Sequence, residues 1–401
     1  MVPALTARTR GEPPGMRWIV RATSSASSLR RSRTRWPKRW RGIASRTHRI
    51  PATQTALTSL RLPALNEVVA GWLRWQAAAC AQMGSPLYGS LLESAAADQT
   101  GATAEALAGL ETETRSAAVG LRLMAAVHRL VLEGRLPALE PHYPSVGGDG
   151  DASAAWPALR DALGEQRKEI RRLVERGCQT NEVGRSAALL GGFLEVAHRT
   201  GLPLRILEVG ASAGLNLRWD RYRYESAKSD EADGGPGGAG WGDENSAVRF
   251  VHFFDVPPPL DRSAEVVERK GCDLEPIDAT TDEGALSLRS FIWADQLGRL
   301  SRLDGAISIA HEVPAEVERM DAASFLEREL GEPPHGMATV VFHSVFMQYV
   351  DDEQRARINR AIDGASVYYL RMEPDQGTFE IRLGEELLGT SGPHGTGVRW
   401  F

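Results

Sequence analysis

Apolar and polar positions recur along this chain with two different periods, and the change from one to the other organises it. Over residues 62–199 the period is helical, with Val68, Trp72, Trp75 and Ala79 on one stripe. Ser85-Pro86-Leu87-Tyr88 has the form of a cap and a helix start. Residues 121–132 (LRLMAAVHRLVL) make an amphipathic helix that stops near Gly134 and Pro137; His128 sits among its apolar residues and is expected to be structural rather than a ligand. After a polar loop at 147–155, one helix is expected over 156–175, and another ending near His198.

The pattern then changes. Residues 204–209 (LRILEV) are a short apolar, partly β-branched run, the form of a strand covered on both faces. Further strands are expected at 248–254, 264–272, 317–322, 338–342, 366–372, 378–383 and near 397–400, with helices over 282–313 and 352–363 and a loop at 226–246. Strands alternating with helices predict an α/β fold with a parallel sheet. The expected division is 1–60, a basic extension; 61–178, a helical domain lidding the site; and 179–401, the α/β domain.

Composition changes the picture only locally. Apolar content of 42% and charged content of 25% are those of a globular protein. The net charge of −5 is unevenly spread: thirteen of the 47 Lys and Arg but one of the 52 acids, Glu12, lie in residues 1–50, so the remainder is net −17. An acidic globule gives no reason to expect a nucleic-acid partner. No run approaches the length of a membrane span. Cys80, Cys178 and Cys272 have no metal-ligand spacing, and a reducing, cytoplasmic setting is the plain expectation. The basic segment lacks a secretory apolar core and reads as a tail or a mis-assigned start.

The candidate chemistry begins where the 204–209 strand ends. Gly210 and Gly214 enclose Ala211, Ser212 and Ala213, and a helical pattern then carries Leu215, Leu217 and Trp219. A strand, a tight glycine turn and a helix start offer backbone N–H groups to a nucleotide-like ligand. The dinucleotide fingerprint would need glycine at positions 212 and 215, where the chain has Ser212 and Leu215. Glu208-x-Gly210-x-Ser212-x-Gly214 instead resembles the first motif of class I S-adenosylmethionine-dependent methyltransferases, with Ser212 for the middle glycine. A βα turn that needs small residues only for packing is the other reading.

Other candidates fall at strand ends. Asp273 suits ribose hydroxyls, and Gly271-Cys272-Asp273-Leu274-Glu275-Pro276 resembles the second methyltransferase motif. The resemblance puts Asp321 opposite an adenine amino group; Asp273 can instead be a helix cap or a loop acid. His343, Ser344, Gln348 and Tyr349 follow the 338–342 strand and are expected in the same crevice, His343 as a general base and Tyr349 beside it, or His343 as a hydrogen-bonded strand end. Thr180 or Asn181 can cap the following helix; alternatively Asn181, Glu182 and Arg185 form a wall of the site. His394 and Glu373 line the crevice mouth or shape turns. Ala211 and Asn216 complete the cofactor-side set.

Taken together, QTNEVGR, LRILEVGASAGLNLRWDRYRY, GCDLEPID, FHSVFMQY and SGPHGTGVRW resemble a bacterial domain-of-unknown-function family, numbered 2332, over roughly residues 72–401. Met347 and the short 363–368 connection depart from the expected pattern. The fold expected is α/β: a helical N-terminal domain, then a Rossmann-like, class I methyltransferase-type doubly wound sheet closing in an antiparallel strand pair. The function expected is S-adenosylmethionine binding with methyl transfer to a small or medium acceptor, with no metal. A non-catalytic binding or scaffold protein, and an NAD(P)-dependent oxidoreductase, are the alternatives. A scaffold would have the Gly210 turn plugged by a side chain; an enzyme would have an open pocket reaching His343 and Tyr349.

Overall fold

The computed structural model describes residues 64–113, 118–226, 240–331 and 334–401; the expectations for residues 1–60 lie outside them. Helices come first: α1 (Glu67–Gln82), α2 (Pro86–Ala96), α3 (Ala102–Ala106), α4 (Val119–Leu132), α5 (Ala152–Glu165), α6 (Arg167–Val174) and α7 (Arg185–Thr200). Ser85 caps α2 by accepting the Tyr88 N–H, with Pro86 in the first turn. The helix expected over 156–175 is two, broken at Gln166. α1, α2, α4, α5 and α6 close over their own apolar core, which also takes in Trp293 and Ala294. His128 is buried there, its ring nitrogens 3.2 Å from the Ser290 carbonyl and 2.8 Å from Ser145 Oγ, and burial pulls its pKa down to about 4. It is structural.

The strands are β1 (Leu204–Val209), β2 (Arg223–Glu225), β3 (Gly240–Trp241), β4 (Arg249–Val251), β5 (Phe254–Val256) and β6 (Val266–Asp273); then come α8 (Asp282–Phe291), α9 (Leu297–Glu312), β7 (Glu316–Arg319), α10 (Ala322–Glu329), β8 (Ala338–Ser344), α11 (Asp352–Asp363), β9 (Tyr368–Asp375), β10 (Thr378–Leu383), β11 (Glu386–Ser391) and β12 (Val398–Trp400). Nine of them form one sheet in the order β5-β12-β11-β10-β9-β8-β1-β6-β7. β7, β6, β1, β8 and β9 are mutually parallel. A small sheet, β3-β2-β4, stands beside it, so β3 falls inside the stretch read as loop and the 248–254 strand splits between the two sheets.

Every residue of β1 is buried, and alternate side chains serve opposite faces. Leu204 and Ile206 join the core with α7; Leu207 and Val209 join the core with α10 and α11. Helices on both faces of a mostly parallel sheet are the α/β arrangement the alternation predicts. On the α7 side Phe193 stacks on Trp219 at 4.4 Å and meets Phe342 edge-on at 5.1 Å.

Three further expectations change. The long helix over 282–313 is broken at 292–296, where Asp295 accepts from Ser85 Oγ at 2.6 Å and from the Leu87 N–H at 3.1 Å. The antiparallel pair expected over 366–372 and 378–383 is present as β9 and β10, but it continues into a meander, because β11, unforeseen, lies between β10 and β12. The segment after the glycine turn is a 3-10 helix, Leu215–Arg221, rather than an α-helix. Its carbonyls are taken by side chains: Gly214 O accepts from Arg218 Nη1, Leu215 O from Tyr222 Oη and Trp219 O from Tyr224 Oη. No helix among the described residues is long and apolar enough to cross a membrane.

α7 lies close to the sheet because Gly191 and Gly192 leave room for Trp400 and Leu370. An Ala at 192 gains about 1 kcal/mol of helix propensity, yet its Cβ would overlap Leu370, and such overpacking costs about 1–3 kcal/mol. Gly192→Ala should therefore lower the urea midpoint; an unchanged or higher midpoint would refute the tight helix–sheet contact.

Candidate functional site

At the carboxyl ends of β1, β6, β7 and β8 lies a cavity of about 580 Å³. This is the edge at which open parallel sheets bind ligands, beside the central strand from which the chain winds both ways. Its floor is the turn after β1. Gly210 and Gly214 have φ of 68° and 64°, backbone that glycine adopts without cost. Ser212 has φ of 54°, the left-handed region that side-chain-bearing residues avoid.

With no α-helix following, the turn's amides are satisfied by side chains. Asp273 Oδ2 accepts the Ser212 N–H at 2.9 Å, and Asn181 Oδ1 accepts those of Ala213 and Leu215 at 3.3 and 3.0 Å. Asn181 thus caps the turn and not α7, whose N-cap is Gly184 and which has no side-chain cap. Gln179 Oε1 accepts from Ser212 Oγ at 2.7 Å. The segment before α7 is bonded into the turn.

Glu182 is buried and paired with Arg299, Nη2 to Oε2 being 2.5 Å, and its Oε1 accepts the Gly184 N–H. Despite burial, the Arg299 guanidinium, with His394 and Arg185 adding to its effect, holds its pKa down to about 2. Glu208 has the opposite fate. Burial raises its pKa well above the usual carboxyl value, against a hydrogen bond from Asn216 and with Asp273 adding repulsion. Its Oε2 is buried without a hydrogen-bond partner.

Asn181, Glu182, Arg185, Glu208, Gly210, Ser212, Asn216, Asp273, Asp321, Ser344 and Tyr349 all line this cavity. Asp321 also caps α10 through the Ser324 N–H, and Asp273 Oδ1 accepts the Glu275 N–H. Ala211 and Gly214 shape the turn from beneath: a Cβ on Gly214 would meet Val317 at 2.7 Å. Gln348 is exposed and outside the lining. His394 lies behind the wall, edge-on to Trp293 at 5.5 Å, with its pKa pulled down to about 4 by burial and then by Arg299.

His343 does not reach the cavity. It is fully buried, with Nε2 2.6 Å from Tyr369 Oη and Nδ1 2.8 Å from Glu373. Both nitrogens serve the fold, because β8 turns His343 toward β9 and its neighbours. Glu373 also accepts the Phe346 and Met347 N–H groups and so fixes the loop after β8, where Val345 has φ of 54°. That strained, β-branched position carries Phe346 over Gly210, close enough that a Cβ on Gly210 would overlap the ring. The cavity is therefore open to Tyr349, closed to His343, and covered at Gly210 by an aromatic ring.

Several lining residues gave no sequence signal. Cys178, Gln179, Leu274, Met320 and Phe346 sit one to three positions from residues that were singled out. Arg122 had one: a cation among the apolar positions of α4, buried, it donates to the Val174 carbonyl and to Glu113. Gly184 and Gly395 bring two segments into backbone contact; a Cβ on Gly184 would meet the His394 carbonyl, and one on Gly395 the Gly184 carbonyl.

Residues 70–400 match the model of a family described as an uncharacterized protein conserved in bacteria, the domain of unknown function numbered 2332. The chain belongs to this family. No match was found among curated proteins or among solved structures. The family's match covers both the helical layer and the sheet, so the cavity lies within it.

Glu208 supplies a pH test. Its pKa is higher folded than unfolded, so its contribution to stability is full below about pH 4, the unfolded carboxyl value, and is lost as pH rises through the folded pKa. Glu208→Gln should raise the denaturant midpoint relative to the parent at pH 8 and leave it nearly unchanged at pH 4. Equal midpoints at both pH values would mean that Glu208 is not held neutral.

Proposed function

We propose that this protein binds S-adenosylmethionine and transfers its methyl group to a small or medium acceptor, on a methyltransferase-like sheet lidded by the helical layer. The observation that carries the reading is the juxtaposition in one cavity of the side-chain-free Gly210 turn, the Asp273 carboxylate after β6 and the Asp321 carboxylate after β7. The residues present fit such a ligand. Asp273 offers acceptors for a ribose diol, Leu274, Met320 and Phe346 offer apolar surface for a purine, and Asp321 offers an acceptor for its amino group. The unpartnered Oε2 of Glu208 has a use for a polar ligand group at the base of the turn.

S-adenosylmethionine brings an already activated methyl group. What remains for the chain is to hold two partners in line and keep water out. The 344–350 loop, with the exposed Tyr349, and the 177–185 segment both line the cavity and are joined by the Arg185–Ser344 bond, and together they can do both. His343 has no part in this as a base, since its nitrogens are engaged away from the cavity. A second reading, a non-catalytic binding protein, draws support from Phe346 lying against Gly210. An oxidoreductase has no such support.

Titration calorimetry of the full chain with S-adenosylmethionine, S-adenosylhomocysteine and NAD decides between them. Micromolar binding of the two sulfur ligands is expected, with NAD silent. Asp273→Asn should weaken binding at least tenfold, about 1.4 kcal/mol, without lowering the melting temperature by more than a few degrees. A folded parent protein giving no heat with either sulfur ligand would sink the proposal.

A further inference from the structure

Two arginines line the cavity, Arg122 and Arg185, and of these only Arg122 has an ion-pair partner among the described residues. Arg122 pairs with Glu113 at 2.7 Å and Arg299 with Glu182 at 2.5 Å. Arg185 has no carboxylate within ion-pair reach among the described residues. Its Nε and Nη1 donate only to the carbonyls of Pro393 and Ser344, each at 3.2 Å. A guanidinium has five N–H bonds in one plane, so the fork is left with donors to spare.

The surroundings accentuate the imbalance. Glu182, the acid whose charge acts most on Arg185, already serves Arg299 and the Gly184 amide. Glu373 already serves His343, Phe346 and Met347. Arg302 stands close to Glu182 and Arg299 as well, and His394 stays neutral near pH 7. Arg185 is also the first residue of the 16-residue α7, the end at which the helix dipole disfavours a cation and favours an anion. Even partly burying a guanidinium there without an anion has a cost. Its position is nonetheless fixed, by two backbone acceptors and by the contact between Gly184 and Gly395.

We propose that Arg185 is the seat of a carboxylate carried by the ligand of this cavity, gripped by the planar fork at the inner end of the wall formed by residues 177–185. The fork matches the two oxygens of a carboxylate, which a point-charge ammonium does not. The carboxylate belongs either to the amino-acid end of an adenosyl ligand, in which case the inference rests on the function proposed above, or to a second, acidic substrate. Its chemistry is the same in both.

The test is calorimetry of the full chain and its Arg185→Gln and Arg185→Lys variants, after thermal melts have shown which variants fold. The probes are S-adenosylmethionine, its decarboxylated analogue, and acetate, benzoate and succinate with and without S-adenosylhomocysteine. If the cofactor carboxylate occupies the seat, the parent prefers S-adenosylmethionine to the decarboxylated analogue by about tenfold or more, and Arg185→Gln erases the preference. If an acidic substrate occupies it, both adenosyl ligands bind alike, and at least one simple carboxylate binds the parent saturably. That binding is then lost in Arg185→Gln and partly kept in Arg185→Lys. Absence of all adenosyl binding would remove the methyltransferase reading and leave the simple carboxylates to decide this one. Simple carboxylates that never bind the parent, together with no preference for S-adenosylmethionine, overturn the inference. So does a folded Arg185→Gln that binds every carboxylate as the parent does or, where that variant does not fold, a folded Arg185→Lys that does so.

Discussion

One side-chain oxygen holds this structure's two layers to a common point. Asn181 Oδ1 takes the amides of both Ala213 and Leu215. Those amides would otherwise be buried without partners, each at a cost of about 1–3 kcal/mol. Their partner comes from outside the sheet, so the glycine turn keeps its shape only while the segment linking α6 to α7 is docked. Gln179 and Asp273 reinforce the arrangement through Ser212. The geometry of the cavity floor is therefore a property of the joint between layers and not of the strand–turn unit alone.

The same joint explains what was legible in the sequence. β1 and β8 are apolar on both faces, so a doubly covered parallel sheet could be read from Leu204–Val209 and Ala338–Ser344 without any tertiary information. The glycine turn, Asp273 and Asp321 could be placed at one edge because side chains at the carboxyl ends of parallel strands share an edge. Asn181 was visible as a capping residue, but which amides it caps depends on a contact across 32 and 34 positions. The 3-10 turn after Gly214 was illegible for a like reason: Tyr222 and Tyr224 bend back onto its carbonyls, and nothing in the local propensity announces that. β11 was missed because Glu386–Ser391 is too short and mixed to stand out, and it is a strand only because β10 lies beside it.

His343 shows the limit most plainly. Its place at the end of a buried strand was right, and its type suited acid–base chemistry. Strand residues alternate between faces, however, and a one-residue difference decides whether a side chain meets a ligand or the interior. His343 meets Tyr369 and Glu373, while Ser344 meets the cavity. What His343 and Glu373 do is hold a strained loop in place, and through it Phe346 and Tyr349. The residue contributes to the site at one remove, as a fastener.

The backbone contact between Gly184 and Gly395 has a consequence for how the protein comes into being. Arg185 and Pro393, bonded in the finished wall, are 208 positions apart. On the ribosome the helical layer and β1 through β9 can begin to assemble while residues 393–395 are still unmade, because earlier segments fold first. During that interval the cavity lacks the clamp that orients its cation. A nascent chain thus carries the turn before the wall around it is finished, and that wall is completed only once synthesis has passed residue 395.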